Sequence, residues 1–191
     1  MLMIKILGAA VIAVVVSSGA FADTPSAPLP PGPQNFDFEA EMSPDGVPQR
    51  WGTSDQPVLY FLDKQVKHGG NQSLRVVGKE GAWVTLTSRL FQRISAENYK
   101  GKRTRFSAWI KSQGIDVRSS IWIAAFDKND TFLKSDALMG KPDQEISGTN
   151  DWKQYAVEIV VPPEAFRISL GFEMASRGTA WIDDLSLEIL Q

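Results

Sequence analysis

A period of two constrains this chain more than any other feature. In Tyr155-Ala156-Val157-Glu158-Ile159-Val160-Val161, the side chains of Tyr155, Val157, Ile159 and Val161 fall on alternate positions. That places them on one face of an extended strand. Pro162-Pro163 ends the ladder, because proline has no N–H to donate. Ile168, Leu170 and Phe172 then alternate with Arg167, Ser169 and Gly171. After the turn Ser176-Arg177-Gly178, the run Trp181 to Ile189 puts Trp181, Leu185, Leu187 and Ile189 on one face, with Asp183 among them. An unpaired carboxylate on an apolar face costs roughly several kcal/mol, so Asp183 demands a partner.

The rest of the chain reads the same way. Short strands are expected at Asn35–Glu39, Val58–Leu62, Ser73–Val77, Trp83–Thr87, Arg103–Lys111 and Ser119–Phe126, with a weaker one at Thr131–Met139. Turns are expected at Ser43-Pro44-Asp45-Gly46, Lys100-Gly101-Lys102 and Asp127-Lys128-Asn129-Asp130, and one helical turn within Phe91–Tyr99. About nine short strands without a long helical period point to an all-β antiparallel sandwich or barrel. Its expected core is Phe38, Leu74, Val76, Phe106, Ile110, Ile121, Ile123, Tyr155, Val157, Ile159, Ile168, Leu170, Phe172 and Leu185.

Before this domain stand two segments of other kinds. Lys5, the apolar run Ile6–Val16 and Ala20-Phe21-Ala22 predict a secretory signal peptide over residues 1–22. The run is shorter than the ~20 residues of a membrane span, and no later segment is apolar enough to cross. Residues 23–34 form a Pro-rich spacer, expected to be an extended tether, and residues 35–191 the folded module. The expected location is the periplasm or the medium. The 191-residue chain has no cysteine, so an exported domain of this sequence depends on its apolar core rather than on disulfides. Six tryptophans and ten phenylalanines supply that core, each able to bury roughly 150–250 Å². A net charge of −2 argues against nucleic acid as a partner.

Asp37-Phe38-Glu39, Asp45-Gly46-Val47-Pro48 with Trp51, and His68-Gly69-Gly70-Asn71-Gln72-Ser73-Leu74 resemble the opening of carbohydrate-binding modules of the galactose-binding-like jelly-roll group. Gly148-Thr149-Asn150-Asp151-Trp152, Val161-Pro162 and Trp181-Ile182-Asp183-Asp184-Leu185 resemble that group's closing strands. The likeness runs from about Asn35 to Ile189, and it is nearest to the accessory domains found beside bacterial secreted peptidases and esterases. It implies an antiparallel jelly-roll β-sandwich that binds a carbohydrate or glycan. No catalytic domain is expected beside the module, which is therefore expected to act alone or through a partner, such as an enzyme of the cell envelope.

The resemblance also implies a structural Ca²⁺ where first strand, glycine loop and last strand meet. Glu39 and Asp183 would give carboxylates, and Gly70 and Asn71 carbonyls, toward the six to eight oxygens calcium takes, roughly. The alternative is that Asp183 accepts backbone N–H bonds or pairs with an arginine. A ligand face is expected from Trp109 and Trp122, which fall opposite the aliphatic faces of their strands, with Arg105 and with Tyr60 and Trp83 as further members. Flat indoles stack on sugar rings while charged groups bond hydroxyls. The alternatives are that loops cover the indoles or that the patch docks a protein. Catalysis is not expected: His68 is the single histidine, no Gly-x-Ser-x-Gly elbow occurs, and Asp183 and Asp184 point to opposite faces of one strand.

Overall fold

The computed structural model describes residues 28–54, 58–78, 87–141, 144–175 and 177–191. The expected signal peptide, the first part of the spacer and Trp83 lie outside the described residues. Those residues form nine strands and no helix: β1 Gly52–Thr53, β2 Val58–Asp63, β3 Ser73–Gly78, β4 Ser88–Ser95, β5 Arg103–Phe126, β6 Phe132–Ala137, β7 Ile146–Val160, β8 Arg167–Ala175 and β9 Thr179–Ile189. Every pairing is antiparallel.

The two expected strands at 103–111 and 119–126 are one, the 24-residue β5. Its first half lies between β7 and β9, and β9 continues to β3 and β2. Its second half lies between β6 and β8, and β8 continues to β4 and β1. Between them Gly114 takes φ 62°, and the β5–β7 register shifts three times from Ile110 to Ser119. Such irregularities bend a strand and let it change layer. The result is a jelly roll with β5 belonging to both layers. A single apolar cluster fills the space between, including Leu74, Ile110 and Ile182, in register on β3, β5 and β9, and Ile123 and Leu170 of the other layer.

Three local expectations change. Asn35–Glu39 is not a strand, because Asn35 and Phe38 take φ 49° and 51°. Phe38 is nevertheless fully buried, stacked on Trp51 at 5.4 Å. The span expected to hold a helical turn opens instead with β4, whose alternate residues are buried, and keeps a turn only at its end, where the Ala96 carbonyl accepts the N–H groups of Tyr99 and Lys100 at 2.9 and 3.1 Å. The described end of the spacer is not a free tether: Ser95 N–H donates to the Pro30 carbonyl at 2.8 Å, and the Gln92 amide bonds the Gln34 backbone in both directions.

Asp184, at φ 45°, forms a bulge in β9, where the pairing with β5 shifts between Ser107 and Trp109. The bulge reverses the alternation. Leu187 stands beside the core residue Phe106, whereas Asp183 stands beside Trp109 on the outward side. The carboxylate that reads as lying on the core face is therefore buried beneath a loop instead.

Candidate functional site

The outward face of the layer containing β3, β9 and β7 is occupied by its own side chains. The His68 ring lies over the Trp109 indole at 4.0 Å and 16°, with Trp152 edge-on to it at 5.5 Å. His68 Nδ1 meets Asp184 Oδ2 at 2.6 Å. Lys111 pairs with Asp151 at 2.7 Å, and Arg105 and Arg103 both hold Glu158, at 2.7 and 2.6 Å. Trp109 and Trp122 belong to different layers, so they do not share one face as expected. Arg105 is committed to Glu158, and Tyr60 points inward, its hydroxyl bonded to Thr53 and Ser88 at 3.0 and 3.2 Å. Of the expected ligand residues that are described, Trp122 lines a cleft.

The residues expected to hold calcium do meet, but as a clasp of hydrogen bonds. Glu39 Oε1 accepts the N–H groups of Asn71 and Gln72 at 2.6 and 3.2 Å, and Oε2 accepts the Asn71 amide at 3.1 Å. Asp183 Oδ2 accepts the N–H groups of His68 and Gly69 at 2.9 and 3.1 Å, and Oδ1 that of Asp184 at 2.9 Å. Gly70, at φ 55°, leaves room for Glu39, which a Cβ there would strike. As placed, this set does not fit a calcium ion. All four carboxylate oxygens already accept N–H donors, and Asn71 turns its N–H rather than its carbonyl toward Glu39. Among the described residues, no three His, Cys, Asp or Glu side chains gather as metal ligands.

The Asn71 backbone N–H holds the Glu39 carboxyl below its usual 4.5, and Arg105 and then Arg103 do the same for Glu158. At Asp63 and Asp136 burial pushes upward, but the bonds from Trp181 and from Lys141 help bring the net shift below 3.8. A carboxyl lowered by folding contributes stability that is present above its unfolded pKa and lost as the pH falls through its folded pKa. Asp183 runs the other way, since burial raises it: its contribution is present below 3.8 and lost as the pH rises through the raised value. The lowered groups outnumber it. The Tm is therefore expected to fall on acidification from about pH 5 to about pH 3 in a differential-scanning titration; a rise over that window would refute the balance.

The open site is on the other layer. A cleft of about 520 Å³ is bounded by Arg89, Phe91 and Arg93 of β4, Glu173, Ser169 and Arg167 of β8, Trp122, Ala124 and Phe126 of β5, and Phe132, Ser135, Asp136 and Ala137 of β6. The register explains it. Phe91, Gly171 and Trp122 stand side by side on three adjacent strands. Glycine leaves the sheet bare between the two rings, and a Cβ there would strike the Leu90 carbonyl. Gly171→Ala is expected to cost about 1–2 kcal/mol in a denaturant titration, as forced overpacking does; an unchanged midpoint would mean that the strands part freely.

Each of three rings in the cleft carries an arginine: Arg89 over Trp122 at 5.8 Å, Arg93 over Phe91 at 5.1 Å and Arg167 over Phe126 at 4.1 Å. Arg89 also pairs with Glu173, itself 4% exposed, at 3.1 Å. The buried Trp122 Nε1 has no acceptor among the described residues. Arg89, Phe91 and Arg93 were missed in the sequence, although their alternation with Leu90, Gln92 and Ile94 is the same period-two signal.

No protein-family model matches the chain. The uncharacterised HTH-type transcriptional regulator YbfP of Bacillus subtilis (strain 168) is 32% identical over 127 residues, 66% of this chain and 42% of the regulator. The chain thus spans less than half of that relative's length. Among solved structures, the CBM22-1 xylan-binding domain of Paenibacillus barcinonensis Xyn10C superposes with a TM-score of 0.54 at 13% identity, covering 82% of this chain and 92% of that one. The CBM22-1 and GH10 modules of Clostridium thermocellum xylanase 10B, in complex with xylohexaose, give 0.58 at 13% identity, covering 81% of this chain and 28% of that one. This chain has the fold of a carbohydrate-binding module. The same jelly roll occurs within larger proteins: the enzymatically active domain of bacteriophage CBA120 tailspike protein 4 gives 0.61 at 17% identity, covering 82% of this chain and 21% of that one.

Proposed function

We propose that this module is exported, to the periplasm or the medium, and binds a glycan without catalysing its breakdown. The observation that carries the reading is the cleft over Gly171, walled by Phe91 and Trp122 and edged by arginines. A shallow site mixing flat aromatics with a few polar groups suits a sugar, whose rings have apolar faces and hydroxyl edges. The xylan-binding and xylohexaose-bound neighbours add support by analogy of fold. Calcium has no part in this reading, since the Glu39 and Asp183 clasp is complete without it.

Calorimetric titration of the mature chain with a broad panel of oligosaccharides tests the proposal. Saturable binding by at least one is the expected result, and no heat from any would refute it. A second reading, an interaction module for a secreted enzyme of the envelope, draws on β2. Among the described residues that strand ends its layer, and it exposes Leu59 and Phe61; an open strand edge is a template for another chain. A silent glycan panel, together with a defined protein complex lost on Phe61→Lys, would favour it.

A further inference from the structure

We propose that the ligand of this cleft is an acidic glycan, one carrying carboxylates along its length. The inference rests on the glycan-binding reading and adds a substrate class to it. The rings in the cleft do not meet the ligand alone, because guanidinium groups lie over Trp122, Phe91 and Phe126. A guest therefore meets cations together with aromatic surface.

The acids of the cleft are already matched. Glu173 is held by Arg89 at 3.1 Å, and Asp136 by Lys141 at 2.6 Å. Arg167 is matched in turn by Asp130 at 2.8 Å. Arg93 is exposed, and no carboxylate pairs with it among the described residues. A planar guanidinium fixed over a ring presents a fork of N–H donors that fits a carboxylate through two parallel bonds.

The path open to a ligand also continues beyond the sheet. A second hollow of about 670 Å³ shares Arg93 and Arg167 with the first and adds Lys128, Asn129, Asp130, Phe166, Pro28 and Leu29. Arg93 stands where the two meet. A polymer with repeated negative charges can follow this path, meeting Arg93 and then Lys128.

Three hexasaccharides of matched length test the proposal by calorimetry: neutral xylohexaose, hexagalacturonate and a sulfated hexasaccharide. Hexagalacturonate is expected to bind at least ~10-fold tighter than xylohexaose at low salt, and to lose that advantage as NaCl is raised past a few hundred millimolar, roughly. Arg93→Gln is expected to weaken hexagalacturonate by at least ~5-fold more than it weakens any neutral ligand. Equal or tighter binding of the neutral hexamer would overturn the acidic class and leave the glycan reading standing. Tightest binding of the sulfated hexamer would overturn the carboxylate assignment. Silence from all three and from the wider panel would remove both readings.

Discussion

Trp122→Ala is expected to weaken glycan binding by about 2–3 kcal/mol, roughly 30- to 150-fold in Kd, with the fold retained. Trp122 walls the cleft, seats the Arg89 guanidinium and flanks the bare position at Gly171. Its loss removes aromatic surface and releases Arg89 together with the Glu173 pair. The measurement is calorimetry with the strongest ligand of the panel, beside circular dichroism to confirm the fold. Trp109→Ala is the informative contrast. Trp109 lies on the outward face of the other layer under His68, so that variant is expected to bind as the parent does. Equal losses in the two variants would mean that ligand spans both layers, which this cleft does not allow. No loss in Trp122→Ala would remove the cleft from the binding reaction.

The contrast between the two tryptophans also marks how much was legible beforehand. Alternation places both indoles away from the core, and both are. Alternation says nothing about which sheet a strand belongs to. Residues 103–126 carry one unbroken strand whose bend at Gly114 transfers it between layers. A residue-by-residue pattern breaks off on either side of that glycine and yields two separate strands, 103–111 and 119–126. The strand pairings that reveal the transfer join β5 to partners dozens of residues away.

The core was almost wholly readable, because its large apolar side chains recur at alternate positions, as in β4 and the latter part of β7. Phe38, Leu74, Phe106, Ile121, Ile168 and Leu170 are all buried as expected. The exception, Leu185, is only half-buried, just past the Asp184 bulge. The cleft was not readable. Arg89, Phe91 and Arg93 gain meaning only from lying beside Glu173, Gly171 and Ser169, a register fixed by tertiary pairing. In isolation they are an exposed arginine, a phenylalanine and another arginine.

Asp183→Ala is expected to be the most damaging single substitution at a polar position, costing about 3–5 kcal/mol of stability. The carboxylate is 1% exposed and accepts three backbone N–H groups, those of His68, Gly69 and Asp184. Alanine would leave those donors without their acceptor and release the loop that carries His68 over Trp109. Burial already raises the Asp183 carboxyl, so its charge is tolerated only because these donors surround it. Asp183→Asn separates geometry from charge. It keeps one acceptor oxygen but sets an NH₂ against N–H groups on the other side, so it is expected to recover only part of the loss. A chelator supplies the third arm. The clasp is made of hydrogen bonds, so EDTA is expected to leave the parent Tm unchanged. A drop in chelator that vanishes in Asp183→Ala would show instead that these oxygens hold a cation, with the loop turned to offer carbonyls in place of N–H groups. Denaturant midpoints of the three proteins, each with and without EDTA, distinguish the two arrangements.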